Sequence, residues 1–128
     1  MPRKSLGVMT ESMFYTIMAF QAGPRCGTEI SALIEELTGG RIQLGPGTLY
    51  TILSKFLEVG YLREVSVEGR KRTYRLTEDG RQAYKTELAR LNQCILDASA
   101  VATFALREGD APNESENFAM APAPMPGL

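Results

Sequence analysis

The chain has 128 residues, the length of one domain with or without a tail. It is 44% apolar and 23% charged, which is ordinary for a water-soluble globular fold, and no apolar run approaches the ~18 residues of a membrane helix. The basic N-terminus, Met1 to Leu6, has no long apolar stretch behind it, so a cytoplasmic protein without a secretory leader or a membrane partner is expected. Histidine is absent, and Cys26 and Cys94 stand far apart outside any CxxC pair, so both read as reduced thiols. These absences argue against Ser-His-Asp and Cys-His catalysis and against a tight metal site. There is no paired-carboxylate, nucleophile-base or phosphate-loop constellation either. The expectation is therefore a protein that is not an enzyme and carries no metal or cofactor.

Formal net charge is −1, but it is unevenly spread. Residues 41–75 hold seven basic residues (Arg41, Lys55, Arg63, Arg70, Lys71, Arg72, Arg75) against Glu58, Glu64 and Glu68. Residues 109–128 hold Asp110, Glu114 and Glu116 and no basic residue. A nucleic-acid backbone feels the local field, so the small global charge does not exclude it.

In chain order, Thr10 is a candidate N-cap, and Met13, Phe14, Ile17 and Met18 recur at helical spacing until Gly23-Pro24, which predicts a first helix over 10–22. A second helix is expected over 27–38, with Ile30, Leu33, Ile34 and Leu37 on its apolar face and Gly39-Gly40 as its stop. Pro46 suits the first turn of a third helix. Leu49, Ile52, Leu53 and Phe56 form its buried stripe, and Gly60 caps it. Two strands follow, 61–67 and 73–76, joined by the turn Glu68-Gly69-Arg70-Lys71-Arg72 to give a hairpin with a basic tip. Thr77-Glu78-Asp79 opens a fourth helix that can run to about Arg107, roughly 45 Å at ~1.5 Å per residue. Along it Tyr84, Leu88, Leu91, Ile95, Ala98, Ala102 and Ala105 keep a heptad seam. Leu96, Val101 and Phe104 widen its apolar surface beyond one small domain's capacity to cover it. The Pro-Ala-rich residues 109–128 read as a disordered tail.

This order of elements is mainly α, with some β: a winged helix-turn-helix with a two-stranded wing and a long C-terminal dimerisation helix. The expected organisation is a DNA-binding domain over 1–76, a dimerisation helix over 77–108 and the tail. The third helix is the candidate recognition helix. Thr48, Thr51 and Ser54 offer short hydrogen-bonding side chains to bases or phosphates, and Lys55 reaches a phosphate or a guanine. Arg70, Lys71 and Arg72 supply wing cations suited to phosphate or a narrow minor groove. Solvated surface is the bland reading of both features. The seam, through Tyr84, Leu88, Leu91, Ile95, Ala98 and Ala102, reads as a homodimer interface. A two-fold dimer would set two recognition helices ~34–36 Å apart on double-stranded DNA with an inverted repeat.

Several stretches resemble the PadR family of transcriptional regulators. They are Gly23-Pro24-Arg25-Cys26-Gly27-Thr28-Glu29-Ile30, Pro46-Gly47-Thr48-Leu49-Tyr50, Leu57-Glu58-Val59-Gly60-Tyr61-Leu62, and Gly69 through Gly80. The resemblance covers roughly residues 10–92, and the single C-terminal helix is similar to the smaller subclass. It implies a ligand-responsive repressor. Tyr50 and Tyr74 would donate to phosphates or pack under the wing. An apolar or aromatic effector would sit against Phe14, Leu88, Leu91 and Ile95, where a filled core without ligand is the other reading. Leu91 stands where multidrug-binding relatives carry a tryptophan. The alternative to a DNA-binding repressor is a winged-helix protein-interaction module that does not bind DNA.

Overall fold

The computed structural model describes residues 6–108. Thr10 is extended, and its Oγ1 accepts the Met13 amide at 3.2 Å, which starts helix α1, Glu11–Ala19. The helix buries Met13, Phe14, Ile17 and Ala19. It also buries Thr16, whose hydroxyl is satisfied by donating to the Ser12 carbonyl at 2.8 Å. The expected last turn of this helix tightens into a 3-10 turn, Phe20–Ala22, before Gly23. Two residues then form strand β1, Arg25–Cys26.

Helix α2, Gly27–Leu37, begins with a reciprocal cap in which the Cys26 amide donates to Glu29 Oε1 at 2.9 Å. It ends where the Gly40 amide reaches the Glu35 carbonyl at 2.8 Å and Gly39 adopts φ +61°. Helix α3, Pro46–Glu58, carries proline in its first turn and buries Leu49, Ile52, Leu53 and Phe56. It closes in the same way: the Tyr61 amide donates to Phe56 O at 2.8 Å and Gly60 to Leu57 O at 3.2 Å. The Phe56 and Tyr61 rings, 5.9 Å apart, supply the apolar contact that accompanies this cap.

Strands β2, Leu62–Glu68, and β3, Lys71–Leu76, form the hairpin. The sheet has three strands rather than the expected two, in the order β1-β3-β2 and antiparallel throughout. Arg25 pairs with Tyr74 and Cys26 with Thr73. The turn is also shorter than the sequence suggests. Glu68 pairs with Lys71, so only Gly69 and Arg70 lie in the loop, and Gly69 takes φ +62°. A II′ turn calls for glycine at that position, and its tightness lets pairing continue to the last residue. The alternation expected over 61–67 fails because the register slips between Glu64 and Ser66, and only Leu62 of β2 is buried.

Helix α4, Glu78–Arg107, is capped by Thr77. The Thr77 Oγ1 accepts the Gly80 amide at 3.1 Å and donates to the Gly60 carbonyl, while the Thr77 amide bonds Tyr61 O at 3.0 Å. The chain divides into two compact units within this helix, at 88/89 rather than at 76/77. The first turns of α4 belong to the packing of the first unit. Tyr84 stacks on Phe14 at 5.5 Å, and the buried Glu87 carboxylate accepts the Met9 amide at 2.9 Å. The core of that unit centres on Ile17, Ile30, Ile34, Leu53 and Phe56, all essentially inaccessible. In the second unit the described residues, 89–108, are helical to Arg107, and Ile95, Leu96, Val101, Phe104 and Leu106 are each more than half exposed. The tail expected over 109–128 lies outside the described residues. No helix among the described residues is long and apolar enough to cross a membrane.

Candidate nucleic-acid interface

The stripe Leu49, Ile52, Leu53, Phe56 turns the opposite side of α3 to solvent. Thr48, Tyr50, Thr51, Ser54 and Lys55 are all exposed there, Tyr50 at 64%. Thr51 donates its hydroxyl to the Gly47 carbonyl at 2.9 Å, so its remaining lone pair is an acceptor.

The wing cations are exposed but differ from one another. Arg70 sits in the loop, and Lys71 and Arg72 begin β3. Arg72 reaches back across the hairpin to Glu64, Nη1 to Oε2 at 3.0 Å, a carboxylate partner that a linear reading of the tip does not anticipate. Arg70, Lys71 and Arg72 border a cleft of about 480 Å³ with Tyr50, Tyr74 and the start of α2, Cys26 to Glu29. The structure thus gathers six of the nine sequence-derived DNA-contact candidates around or beside one opening: Tyr50, Thr51, Arg70, Lys71, Arg72 and Tyr74. A second groove of about 340 Å³, between α2 and α3, shares Gly27, Thr28 and Tyr50 with it.

Two residues here depart from ordinary titration. Glu29 is held below the usual carboxylate range, first by the Cys26 amide, then by the Cys26 side chain, and with help from Lys71 and Arg25. The Tyr74 phenol is pushed up, first by burial and then by the Glu64 carboxylate, so it remains a neutral donor at pH 7. Tyr74 is only 6% exposed, whereas Tyr50 is open. Sequence reasoning left Cys26, Thr28 and Glu29 out of this site. The Cys26-x-x-Glu29 spacing of a capping box was the available signal, concealed by cysteine in place of serine or threonine.

The dimer and effector candidates lie elsewhere. Phe14 is buried, and its ring is already partnered by Tyr84. Leu88 and Leu91 are half-buried, Ile95 and Ala98 exposed and Ala102 half-buried. Cys26 is buried and Cys94 exposed, so the shared expectation of two buried thiols fails for Cys94.

The three helices, the wing and the exposed α3 face describe a winged-helix transcriptional regulator. The family model for the transcriptional regulator PadR-like family matches residues 17–86, more than half of the chain, and the chain belongs to that family. This places it among regulators, not enzymes. An uncharacterized 37.1 kDa protein in transposon TN4556 of Streptomyces fradiae is 32% identical over 92 residues, covering 70% of this chain and 26% of that protein. The chain therefore spans about a quarter of that relative's length. RosR of H. salinarum shares the fold at TM-score 0.62 and 19% identity, with 82% of this chain and 97% of that one covered. A transcriptional regulator from Clostridium thermocellum does so at 0.60 and 24%, with 72% and 90% covered. The PcaV regulator of Streptomyces coelicolor, in complex with its natural ligand, is similar at 0.55 and 21%, with 80% and 74% covered.

Proposed function

We propose that the protein is a repressor that acts in the cytoplasm as a homodimer on an inverted-repeat operator. Residues 1–76 read DNA, and the helix over 77–108 joins the subunits. Thr48, Thr51, Ser54 and Lys55 enter the major groove, with Tyr50 at the edge, while Arg70, Lys71 and Arg72 grip phosphates. Tyr74, largely packed, contributes its hydroxyl. The observation that carries this reading is the open polar face of α3 bordering the same cleft as three wing cations.

The seam through Tyr84, Leu88, Leu91, Ile95, Ala98 and Ala102 pairs with a second copy. An apolar or aromatic effector held between the paired fourth helices, against Leu91 and Ile95, would shift DNA affinity by binding one arrangement of the dimer better than the other. Phe14 takes part through Tyr84, its stacking partner.

A mobility-shift titration against the upstream region of the protein's own gene tests the proposal. Binding is expected to be salt-steep, and replacing Arg70, Lys71 and Arg72 by alanine should flatten the log–log salt slope by about 2–3, at ~0.9 per lost phosphate contact. Unchanged binding in the triple variant would remove the wing from the interface. A chain that ignores DNA but pulls down a protein through α4 would replace the proposal with an interaction module.

A further inference from the structure

The cleft between the wing and α2 has features that a duplex-facing surface does not require. Tyr74 is more than nine-tenths buried and lines the cleft, and its hydroxyl makes no hydrogen bond among the described residues. Yet no buried side-chain oxygen or nitrogen fully sealed from solvent lacks a partner, so this hydroxyl opens onto the cleft. A neutral phenol held in that position is a donor waiting for an acceptor.

What surrounds it selects the acceptor. Lys71 and Arg70 make no ion pair among the described residues, while Arg72 shares its charge with Glu64. The only carboxylate of the lining, Glu29, is turned to the Cys26 amide and lies in the field of Lys71 and Arg25. The cleft is therefore net cationic and has the first-turn amides of α2 on one wall. On the other wall stands the exposed ring of Tyr50, a flat apolar face. Its volume of about 480 Å³ is that of a small-ligand site and exceeds what one backbone phosphate needs.

We propose that this cleft binds a free nucleoside monophosphate. The phosphate is held by Lys71, the Tyr74 hydroxyl and the amides of Gly27 and Thr28, and the base lies against Tyr50. Because Tyr50 and the wing cations are the groups offered to DNA, nucleotide and duplex exclude one another. This second clause rests on the DNA-binding reading above, and the first does not.

The test titrates the full chain with adenosine monophosphate, adenosine and inorganic phosphate by calorimetry, in the wild type and in Tyr74→Phe, Lys71→Ala and Tyr50→Ala. The nucleotide is expected to bind at least about tenfold more tightly than adenosine or phosphate alone. Tyr74→Phe should weaken it by about five- to tenfold, the worth of one hydrogen bond to a charged acceptor, with unchanged thermal stability at neutral pH. No heat at millimolar nucleotide, or equal affinity in all four proteins, would overturn the site. Phosphate binding as tightly as the nucleotide would overturn the role of Tyr50. A labelled operator duplex added to the same protein should be displaced by the nucleotide. Binding of both at once would overturn the exclusion while leaving the site in place, and failure of the duplex alone would count against the DNA reading only.

Discussion

At Gly80 the missing Cβ allows the fourth helix to start where it does. A Cβ there would run into the Tyr61 carbonyl and come within 2.9 Å of Leu76 Cδ2, while Thr77 already ties this helix start to Gly60 and Tyr61. Backbone on one side leaves little room to relax, so Gly80→Ala should cost about 1–3 kcal/mol or more and lower the melting temperature in a thermal scan. An unchanged melting point would mean that the joint is looser than its contacts. Tyr74 sets an alkaline limit. Its folded pKa is raised, so the folded state keeps its proton after the unfolded chain has lost it, and stability is full below pH 10 and falls as pH rises further. Tyr74→Phe should flatten that fall in chemical-denaturation midpoints taken across the range. Glu29 works in the opposite sense. Its folded pKa is lowered, so its stabilisation is present above 4.5 and lost as pH drops through the folded value, and Glu29→Gln should remove that part of the acid limb.

Among the elements, the wing divides its labour unequally. Arg72 must leave Glu64 to meet a phosphate, whereas Lys71 and Arg70 need not. Single alanine variants should therefore weaken DNA binding more at Lys71 and Arg70 than at Arg72, and fluorescence anisotropy at fixed salt ranks them directly. Equal losses would mean that the Glu64 pair dissolves in the complex at no cost, as exposed pairs worth under about 1 kcal/mol can. The helices were legible in the sequence because their periodic stripes and caps agree: Thr10, the Gly39-Gly40 stop, Pro46, Gly60 and Thr77 all act where they stand. The strands were less so. Two residues, Arg25 and Cys26, are too few to show a period, and the slip at Val65 breaks the alternation of β2. The site was half legible. Its cations and exposed α3 face come from pattern, but the burial of Tyr74 and the inclusion of Glu29 depend on β1 laying the start of α2 beside β3, a non-local pairing that no local window contains.

At the scale of the whole molecule, the second unit is the part that does not explain itself as a single chain. Ile95, Leu96, Val101, Phe104 and Leu106 are each exposed by more than half, and burying two such side chains is worth about 3 kcal/mol or more. Ile95→Asp should thus leave the first unit folded and weaken self-association by a hundredfold or more, read as a shift from dimer to monomer mass in light scattering. A wild-type monomer at micromolar concentration would contradict the pairing. The pairing also fixes what the protein does to DNA, since two α3 faces joined through α4 read two half-sites on one side of a duplex. Footprinting on the intergenic DNA beside the gene tests this most directly. The prediction is two protected half-sites about one helical turn apart, both lost in the Arg70/Lys71/Arg72 triple alanine variant. Protection of a single half-site, or protection that survives the triple substitution, would contradict it.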